Sequence, residues 1–230
     1  RQLSARGLAP GSFAAREKEI YAMSVRYIDG FEDYATADIT LGNWTANGGG
    51  GTPVISAGNG RNGASFRLAG SGPTAWLSKV LDAQATWVVG FAFRFVTPGW
   101  EVSYIVELLD AGSLQCELGI NINGTLAVSR LTSSVTGGTS TKALSANTWY
   151  YIEFKVTIAN SIGAGTCKVN VNGVTWITVT TGQDLQATAN ATADTVKIGS
   201  IANNGPTTMD FDDLYILDGV AGDVAGDNDF

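Results

Sequence analysis

The chain has 230 residues, 44% of them hydrophobic and only 15% charged, and its formal net charge is −7. This length suits one all-β domain whose core needs neither disulfides nor a metal for stability. The negative charge argues against a nucleic-acid surface, which is positive, and no apolar run approaches the roughly 18 residues of a membrane span. The absence of histidine removes Ser-His-Asp and Cys-His catalysis and His-ligated zinc.

The first 22 residues differ from the rest of the chain. They carry four basic and two acidic residues, a charge of +2, so the remainder carries −9. Ser12 is a candidate cap for a short helix from Phe13 to Tyr21. A helix of this length is marginal alone and would need a partner surface, while a frayed terminal segment is the alternative. We expect residues 1–22 to form an N-terminal arm that serves as an assembly anchor.

From Ser24 onward, apolar and polar residues alternate as they do in a sheet with one buried face. The clearest strand is Trp149–Ile158, and the almost continuously apolar segment Thr86–Val96 predicts a central strand. The other predicted strands are Ala64–Leu68, Ala75–Leu81, Val102–Leu109, Leu114–Ile122, Thr125–Arg130, Thr166–Val171, Val174–Thr180, Thr195–Gly199 and Met209–Leu217.

Two Asn-Gly pairs, Asn123-Gly124 and Asn172-Gly173, each separate two alternating segments. Both residues tolerate the positive φ of a type I′ turn, so each pair predicts a β-hairpin. The Gly-rich stretches Asn47–Gly51 and Ser133–Thr141 are predicted to be connectors, with mobile binding loops as the alternative. About a dozen strands with frequent turns indicate an all-β, antiparallel, two-sheet jelly-roll sandwich.

The two cysteines, Cys116 and Cys167, alternate in phase with the apolar residues of their strands, so both are expected to face the core. Two buried thiols are the expected state, and a disulfide is the alternative. Two thiols without histidine cannot complete a zinc site, and we expect no metal and no cofactor.

Four segments then stand out in order: DGFEDY (Asp29–Tyr34), NTWYYIEFKVTI (Asn147–Ile158), GTCKVNVNGV (Gly165–Val174) and DFDDLYILDG (Asp210–Gly219). Together they resemble the concanavalin A-like lectin/laminin-G jelly-roll superfamily, and this resemblance implies that DGFEDY forms the first strand. The resemblance implies a sandwich domain over residues 23–220. The Asp- and Gly-rich tail at 221–230 is expected to be a flexible C-terminal exit. The superfamily holds lectins, glycanases and structural modules, so it implies the fold more strongly than the function.

The same segments, with a GRNG turn (Gly60–Gly63) and a final NDF (Asn228–Phe230), are similar to those of tailed-phage virion proteins of this fold. This resemblance implies a non-enzymatic virion structural protein, either a capsid decoration protein or a tail component. Its partners would be other virion proteins and copies of itself in a homo-oligomer, without nucleic acid or membrane. The alternative is a carbohydrate-binding, lectin-like module for surface or host-glycan adhesion, with Trp100 or Trp176 as an aromatic platform.

A glycosidase is the enzymatic alternative, because such an enzyme needs only two carboxylates. The family's glycanases carry a Glu-x-Asp-x-x-Glu strand motif, and its nearest approach here is Glu101, Glu107 and Asp110. A cross-strand pair of Glu107 with Glu117 is geometrically possible. Without the motif and without histidine, we expect the chain not to be an enzyme.

A structural calcium ion is a further alternative that the resemblance raises, since the family sometimes binds one where the first and last strands meet. Asp29 and Glu32 at one end, with Asp210, Asp212 and Asp213 at the other, are candidate oxygen ligands. Their spacing matches no strict motif, so the expectation remains no metal.

Overall fold

The computed structural model describes residues 24–51, 53–69, 74–96, 102–131, 133–160, 164–200 and 208–219. The predicted arm at 1–22 with its helix, the C-terminal exit at 221–230, and the candidate residues Trp100 and Glu101 lie outside this part of the chain. No helix within the described ranges is long and apolar enough to cross a membrane.

The described residues form fifteen strands, a 3₁₀ turn at Thr36–Asp38 and a π-helical turn at Ile39–Asn43. In chain order the strands are β1 (Ser24–Asp29), β2 (Ala46–Gly49), β3 (Pro53–Ser56), β4 (Ser65–Ala69), β5 (Ala75–Gln84), β6 (Thr86–Phe95), β7 (Ser103–Asp110), β8 (Ser113–Ile120), β9 (Thr125–Arg130), β10 (Ser133–Ala143), β11 (Tyr150–Thr157), β12 (Gly165–Val171), β13 (Val174–Gln183), β14 (Ala193–Ser200) and β15 (Thr208–Gly219).

The strands form two antiparallel sheets packed as a sandwich, which confirms the predicted jelly-roll class. The eight-stranded sheet has the order β13-β12-β11-β6-β15-β4-β3, and β1 also pairs with β15. The seven-stranded sheet has the order β10-β9-β8-β7-β14-β5-β2. Each sheet therefore mixes strands from distant parts of the chain, and one face of each is left pointing away from the core.

The core is aromatic at the centre of the eight-stranded sheet. Trp87, Phe91, Phe93 and Phe95 of β6 alternate inward, and all are at most 1% exposed. The Phe211 ring of β15 lies 5.6 Å from that of Phe91 and 5.2 Å from that of Phe93, between ring centroids. Burying a side chain of this size contributes about 1.5–3 kcal/mol, so this row alone accounts for a substantial part of the stability.

The two cysteines are free and buried within the core, as the alternation in their strands predicts. Burial raises the pKa of the Cys167 thiol to about 12, and burial is also the main cause of the raised pKa of Cys116. Both side chains therefore act as small hydrophobic groups in this fold.

The structure corrects three local predictions. Ser133–Thr141 is strand β10 and not a connector, and part of Asn47–Gly51 belongs to β2. The segment DGFEDY follows a strand, because β1 ends at its first residue, Asp29.

The two Asn-Gly hairpins use different turns. Asn172 and Gly173 both have positive φ, as a type I′ turn requires. At the first hairpin only Gly124 does, and its N–H donates to the Asn121 carbonyl 2.8 Å away. The side chain of Asn123 instead accepts a hydrogen bond from the backbone N–H of Thr125, so the predicted type I′ turn is wrong there.

Candidate functional site

A row of polar side chains crosses the outer face of the seven-stranded sheet. Lys197 of β14 pairs with Glu107 of β7, which pairs with Glu117 of β8, which pairs with Ser129 of β9. Residues directly opposite each other on antiparallel strands project to the same face, with Cβ atoms roughly 4.5–5.5 Å apart. The residues that flank the two glutamates on β7 and β8 point into the core, so both glutamates point away from it.

Two β-bulges bracket the glutamate pair. Tyr104 pairs with Gly119 and Val106 with Leu118, which makes Ile105 an extra residue on β7. On the other side of the pair, Leu108 pairs with Cys116 and Leu109 with Leu114, so Gln115 is an extra residue on β8. Bulges re-aim side chains and often lie beside functional sites.

The second bulge is held by the extra residue itself. The fully buried Gln115 accepts hydrogen bonds from the backbone N–H groups of Ala187 and Thr188, at 2.6 and 3.0 Å. Its amide nitrogen donates to the carbonyls of Asn190 and Thr192 in the same loop. These contacts fix the register of β8 next to Glu117.

The environment of the pair separates the two carboxyl groups chemically. Glu117 is 1% exposed, and burial, reinforced by the charge of Glu107, raises its pKa to about 8. The Tyr104 hydroxyl, which interacts with the Glu117 carboxyl, opposes this shift. Burial also raises the pKa of Glu107, but the Lys197 ammonium opposes that shift from 3.5 Å. At neutral pH Glu117 therefore keeps its proton, while Glu107 is the carboxyl that ionises first.

One atom of this pair has no protein partner. Within the described structure, the Oε1 atom of Glu117 is buried and accepts or donates no hydrogen bond. Buried polar atoms in native proteins are almost always paired, so an orphan atom in a polar row needs an explanation. A ligand hydroxyl group is one partner that the position would suit.

Trp76 adds an aromatic surface to the same face. It lies on β5 between Gly48 of β2 and Gly199 of β14, with which it pairs directly. A Cβ atom at Gly48 would stand 2.7 Å from the indole ring, so the ring lies against the bare backbone of that glycine. The Lys197 ammonium is 4.8 Å from the ring centroid. The indole is half-buried, and it was not among the tryptophans that the sequence singled out.

Trp176 does not form an exposed platform. Its ring packs edge-on against Tyr150 at 6.4 Å between centroids, and it lies against the hydrophobic core. Trp149 lies on the opposite side of the sandwich from Trp76, where the Arg94 guanidinium stacks over its ring at 4.8 Å.

The candidate calcium ligands have protein partners of their own. The 8% exposed Asp29 accepts hydrogen bonds from the Tyr27 and Tyr34 hydroxyls, the Trp44 indole and the Phe31 backbone N–H, at 2.6–2.9 Å. This carboxylate therefore ties the end of β1 to the following loop.

The other proposed calcium ligands are also engaged. Asp210 is fully buried and is paired with Arg67 and Arg94, at 2.6 and 2.8 Å. Glu32 accepts a hydrogen bond from the Ala64 backbone N–H, and Asp212 accepts one from that of Arg61. Within the described ranges, no group of three or more His, Cys, Asp or Glu residues is arranged to hold a metal ion.

The row holds two carboxyl groups of unequal acidity, and such a pair can supply an acid together with a base or a nucleophile. A protonated Glu117 can donate to a leaving oxygen, and an ionised Glu107 can act as a base or nucleophile. Glycoside hydrolysis needs such a pair, and a spacing of about 5–5.5 Å is typical of enzymes that retain anomeric configuration. The Cβ atoms of directly opposed strand residues lie roughly 4.5–5.5 Å apart, so rotation of the two side chains can bring their carboxyl groups to that spacing.

No protein-family model matches this chain, and no curated protein matches its sequence. Solved structures with a similar fold include the PL-14 alginate lyase from Aplysia kurodai, with a TM-score of 0.60 and 11% identity over 85% of this chain and 99% of that one. The alginate lyase Aly36B has a TM-score of 0.58 and 11% identity, over 85% and 97% of the two chains.

A third similar structure is domain 4 of AbnA, a GH43 extracellular arabinanase from Geobacillus stearothermophilus, solved in complex with arabinotriose. Its TM-score is 0.58, with 16% identity over 86% of this chain and 93% of that one. At such identities the likeness shows the fold alone.

These findings correct the expectation that the chain is not an enzyme. Two of the three structures described above are alginate lyases, so the fold at this length is one that carries catalysis. The missing strand motif does not exclude an acid pair either, because Glu107 and Glu117 come together across two strands. The chain therefore has the jelly-roll β-sandwich found in carbohydrate-active and carbohydrate-binding modules, consistent with a concanavalin-like fold.

Proposed function

We propose that this chain is a carbohydrate-active domain that binds a glycan across the outer face of the seven-stranded sheet and cleaves a glycosidic bond there. The observation that carries the proposal is the directly opposed pair Glu107–Glu117, in which one carboxyl keeps its proton at neutral pH. Two carboxyl groups whose environments separate their acidities identify an acid and its partner. The fold shared with carbohydrate-active proteins supports the substrate class.

In the proposed reaction, Glu117 protonates the leaving glycosidic oxygen and Glu107 attacks the sugar as a nucleophile. Water then hydrolyses the glycosyl-enzyme, with Glu117 acting as the base. Lys197 favours the ionised form of Glu107 before attack, against the effect of burial. Glu117 is almost fully buried, so the side chains that cover its carboxyl must move for a substrate to reach it.

The test uses the two isosteric variants Glu107→Gln and Glu117→Gln. We expect wild-type protein to release reducing ends from a polysaccharide panel, and each variant to lose at least about a hundredfold of that rate while still binding. The matched control is Glu153→Gln, a carboxyl on the opposite sheet that accepts a hydrogen bond from Tyr215. Full activity in both site variants would contradict the assigned roles.

Glycan binding without cleavage is the second candidate function, and Trp76 favours it. The part of this half-buried indole that the Gly48 backbone and the Lys197 ammonium leave uncovered offers an apolar contact for a sugar ring. In this case wild-type protein binds a glycan and releases no reducing ends. Trp76→Ala would then weaken binding. The two glutamine variants, like wild type, would release no reducing ends.

We further propose that residues 1–22 anchor the domain to a larger assembly. The support is the charge contrast of +2 against −9 in the sequence. A phage particle is the location that the sequence resemblance implies, with other virion proteins and copies of this chain as partners. Deleting residues 1–22 is expected to abolish incorporation into particles while leaving glycan binding intact, and unchanged incorporation would refute the anchoring role.

A further inference from the structure

The basic residues of this chain are distributed unequally between the two sheets. The chain has 14 Lys and Arg, of which four lie in residues 1–22, and the remaining ten all fall within the described ranges. Six of these belong to the eight-stranded sheet or to the turn between β3 and β4: Arg26, Arg61, Arg67, Arg94, Lys155 and Lys168.

Of the four basic residues on the seven-stranded sheet, three point away from its outer face. Lys79 pairs directly with the buried Val196, and Arg130 pairs directly with the buried Cys116. Both basic side chains therefore project to the core side of the sheet. Lys79 lies over the Tyr27 ring, and Arg130 pairs with Asp184. Lys142 reaches toward Trp176 of the other sheet.

Lys197 is therefore the one cation on this outer face within the described ranges, and its ammonium is already paired with Glu107. Its charge is balanced, and Glu117 adds a second negative charge when it ionises. A polysaccharide with a carboxylate or sulfate on each sugar would place several anions on this face, where the described residues supply no unpaired cation. An unpaired charge in such a position costs binding free energy.

On the basis of the proposed function, we propose that the glycan bound here is uncharged. Trp76 would hold one of its sugar residues at a distance from the pair Glu107–Glu117. Trp76 lies on β5 and Glu107 on β7, with β14 between them. Two strand spacings are roughly 10 Å, about the length of two sugar residues. A chain laid across the strands therefore contacts the indole and the glutamates at the same time.

This arrangement separates the chain from an enzyme that acts on a polyuronate. The alginate lyases share its fold at 11% identity, a level that carries no information about their ligand-binding residues. The uncharged character of the ligand follows from the residues of this face: a lysine paired with one glutamate, a second glutamate, a serine and an indole.

The experiment compares pairs of polysaccharides that share a backbone and differ in whether their substituents are charged. The full chain is measured by affinity gel electrophoresis against hydroxyethylcellulose and carboxymethylcellulose, methyl-esterified and de-esterified polygalacturonate, and propylene glycol alginate and alginate. Each measurement is made at about 0.05 M and 0.5 M salt, which changes the screening of exposed charges severalfold. We expect at least one uncharged member to bind at least tenfold more tightly than its charged counterpart, with little dependence on salt.

Equal binding of both members, or tighter binding of the charged member that weakens with salt, would overturn the inference and leave the proposed function standing. Absence of binding to all six would overturn the proposed function itself. Glu107→Gln frees Lys197 from its partner, so this variant is expected to gain affinity for the charged members. No gain would count against the balance of charges described here.

The Trp76 subsite has its own test. Trp76→Ala is expected to weaken binding of the uncharged glycan at least tenfold, and Trp76→Phe less, because the phenyl ring keeps part of the flat surface. Trp149→Ala, on the opposite sheet, is the matched control and should leave affinity unchanged. Urea unfolding of each variant separates a loss of binding from a loss of folding, and full affinity in a folded Trp76→Ala protein would remove the subsite.

Discussion

Glu117 should make the fold less stable as the pH rises, and Glu117→Gln should remove that effect. The pKa of Glu117 is about 8 in the folded protein, against an ordinary value of 4.5. Between these values the folded state holds a proton that the unfolded state has lost, so the free energy of unfolding falls as pH increases. The difference of 3.5 pH units corresponds to roughly 5 kcal/mol of unfolding free energy. This loss of stability is absent below pH 4.5 and complete above pH 8.

Urea unfolding of wild type and Glu117→Gln at about pH 5, 7 and 9 measures this effect. We expect the variant to gain stability over wild type steadily between the first and last pH, by up to roughly 5 kcal/mol. The control is Asp82→Asn, which removes the same unit of charge from a side chain that is 87% exposed. Parallel curves for wild type and Glu117→Gln across this range would refute the account of the buried carboxyl.

Three further changes have defined outcomes. Tyr104→Phe removes the hydroxyl that lowers the pKa of Glu117, so a ¹³C NMR titration should place that pKa above 8, and an unchanged midpoint would contradict the contact. Asp29→Asn places an amide donor among the four groups that donate to this side chain. The variant should lose about 2–4 kcal/mol of unfolding free energy, and a loss under about 1 kcal/mol would contradict the network. Gly173→Ala should cost about 1 kcal/mol of unfolding free energy, and Gly124→Ala at least about twice as much. The reason is that only the new Cβ at 124 would clash, 2.4 Å from a backbone oxygen. Equal losses in the two variants would contradict this.

The pH dependence of cleavage follows from the same two carboxyl groups. Activity requires a protonated Glu117 and an ionised Glu107, so the rate should fall above about pH 8 and also at acid pH. Proton NMR of the first product gives the stereochemistry, and the directly opposed pair predicts retention of anomeric configuration. Inversion would show that water, and not Glu107, makes the first attack.

The strands were predictable because a half-buried sheet imposes a period of two on the sequence. The predicted strand Trp149–Ile158 differs from β11 by one residue at each end. The Gly-rich segment Ser133–Thr141 was misassigned because glycine and serine are typical of loops, yet strand pairing with β9 determines its conformation.

The glutamate pair could be named as a possibility but not established from the sequence. Whether Glu107 faces Glu117 depends on the register of β7 against β8, and a shift of one residue would move one of them into the core. The extra residues Ile105 and Gln115 set that register, and nothing in the local sequence marks either as a bulge. Trp76 was missed for a related reason, since its exposure depends on Gly48 and Gly199 of other strands.

The central claim is that a glycan binds on the outer face of the seven-stranded sheet, and ¹H–¹⁵N NMR of the labelled protein during titration with an oligosaccharide tests the location of the glycan directly. Titration with an uncharged oligosaccharide from the polysaccharide that binds best should shift the Trp76 indole N–H and the Gly119 amide, which lie on that face. The Trp149 indole, under Arg94 on the other sheet, should not move. Shifts at Trp149 with none at Trp76 or Gly119 would place the glycan on the opposite face and contradict the account.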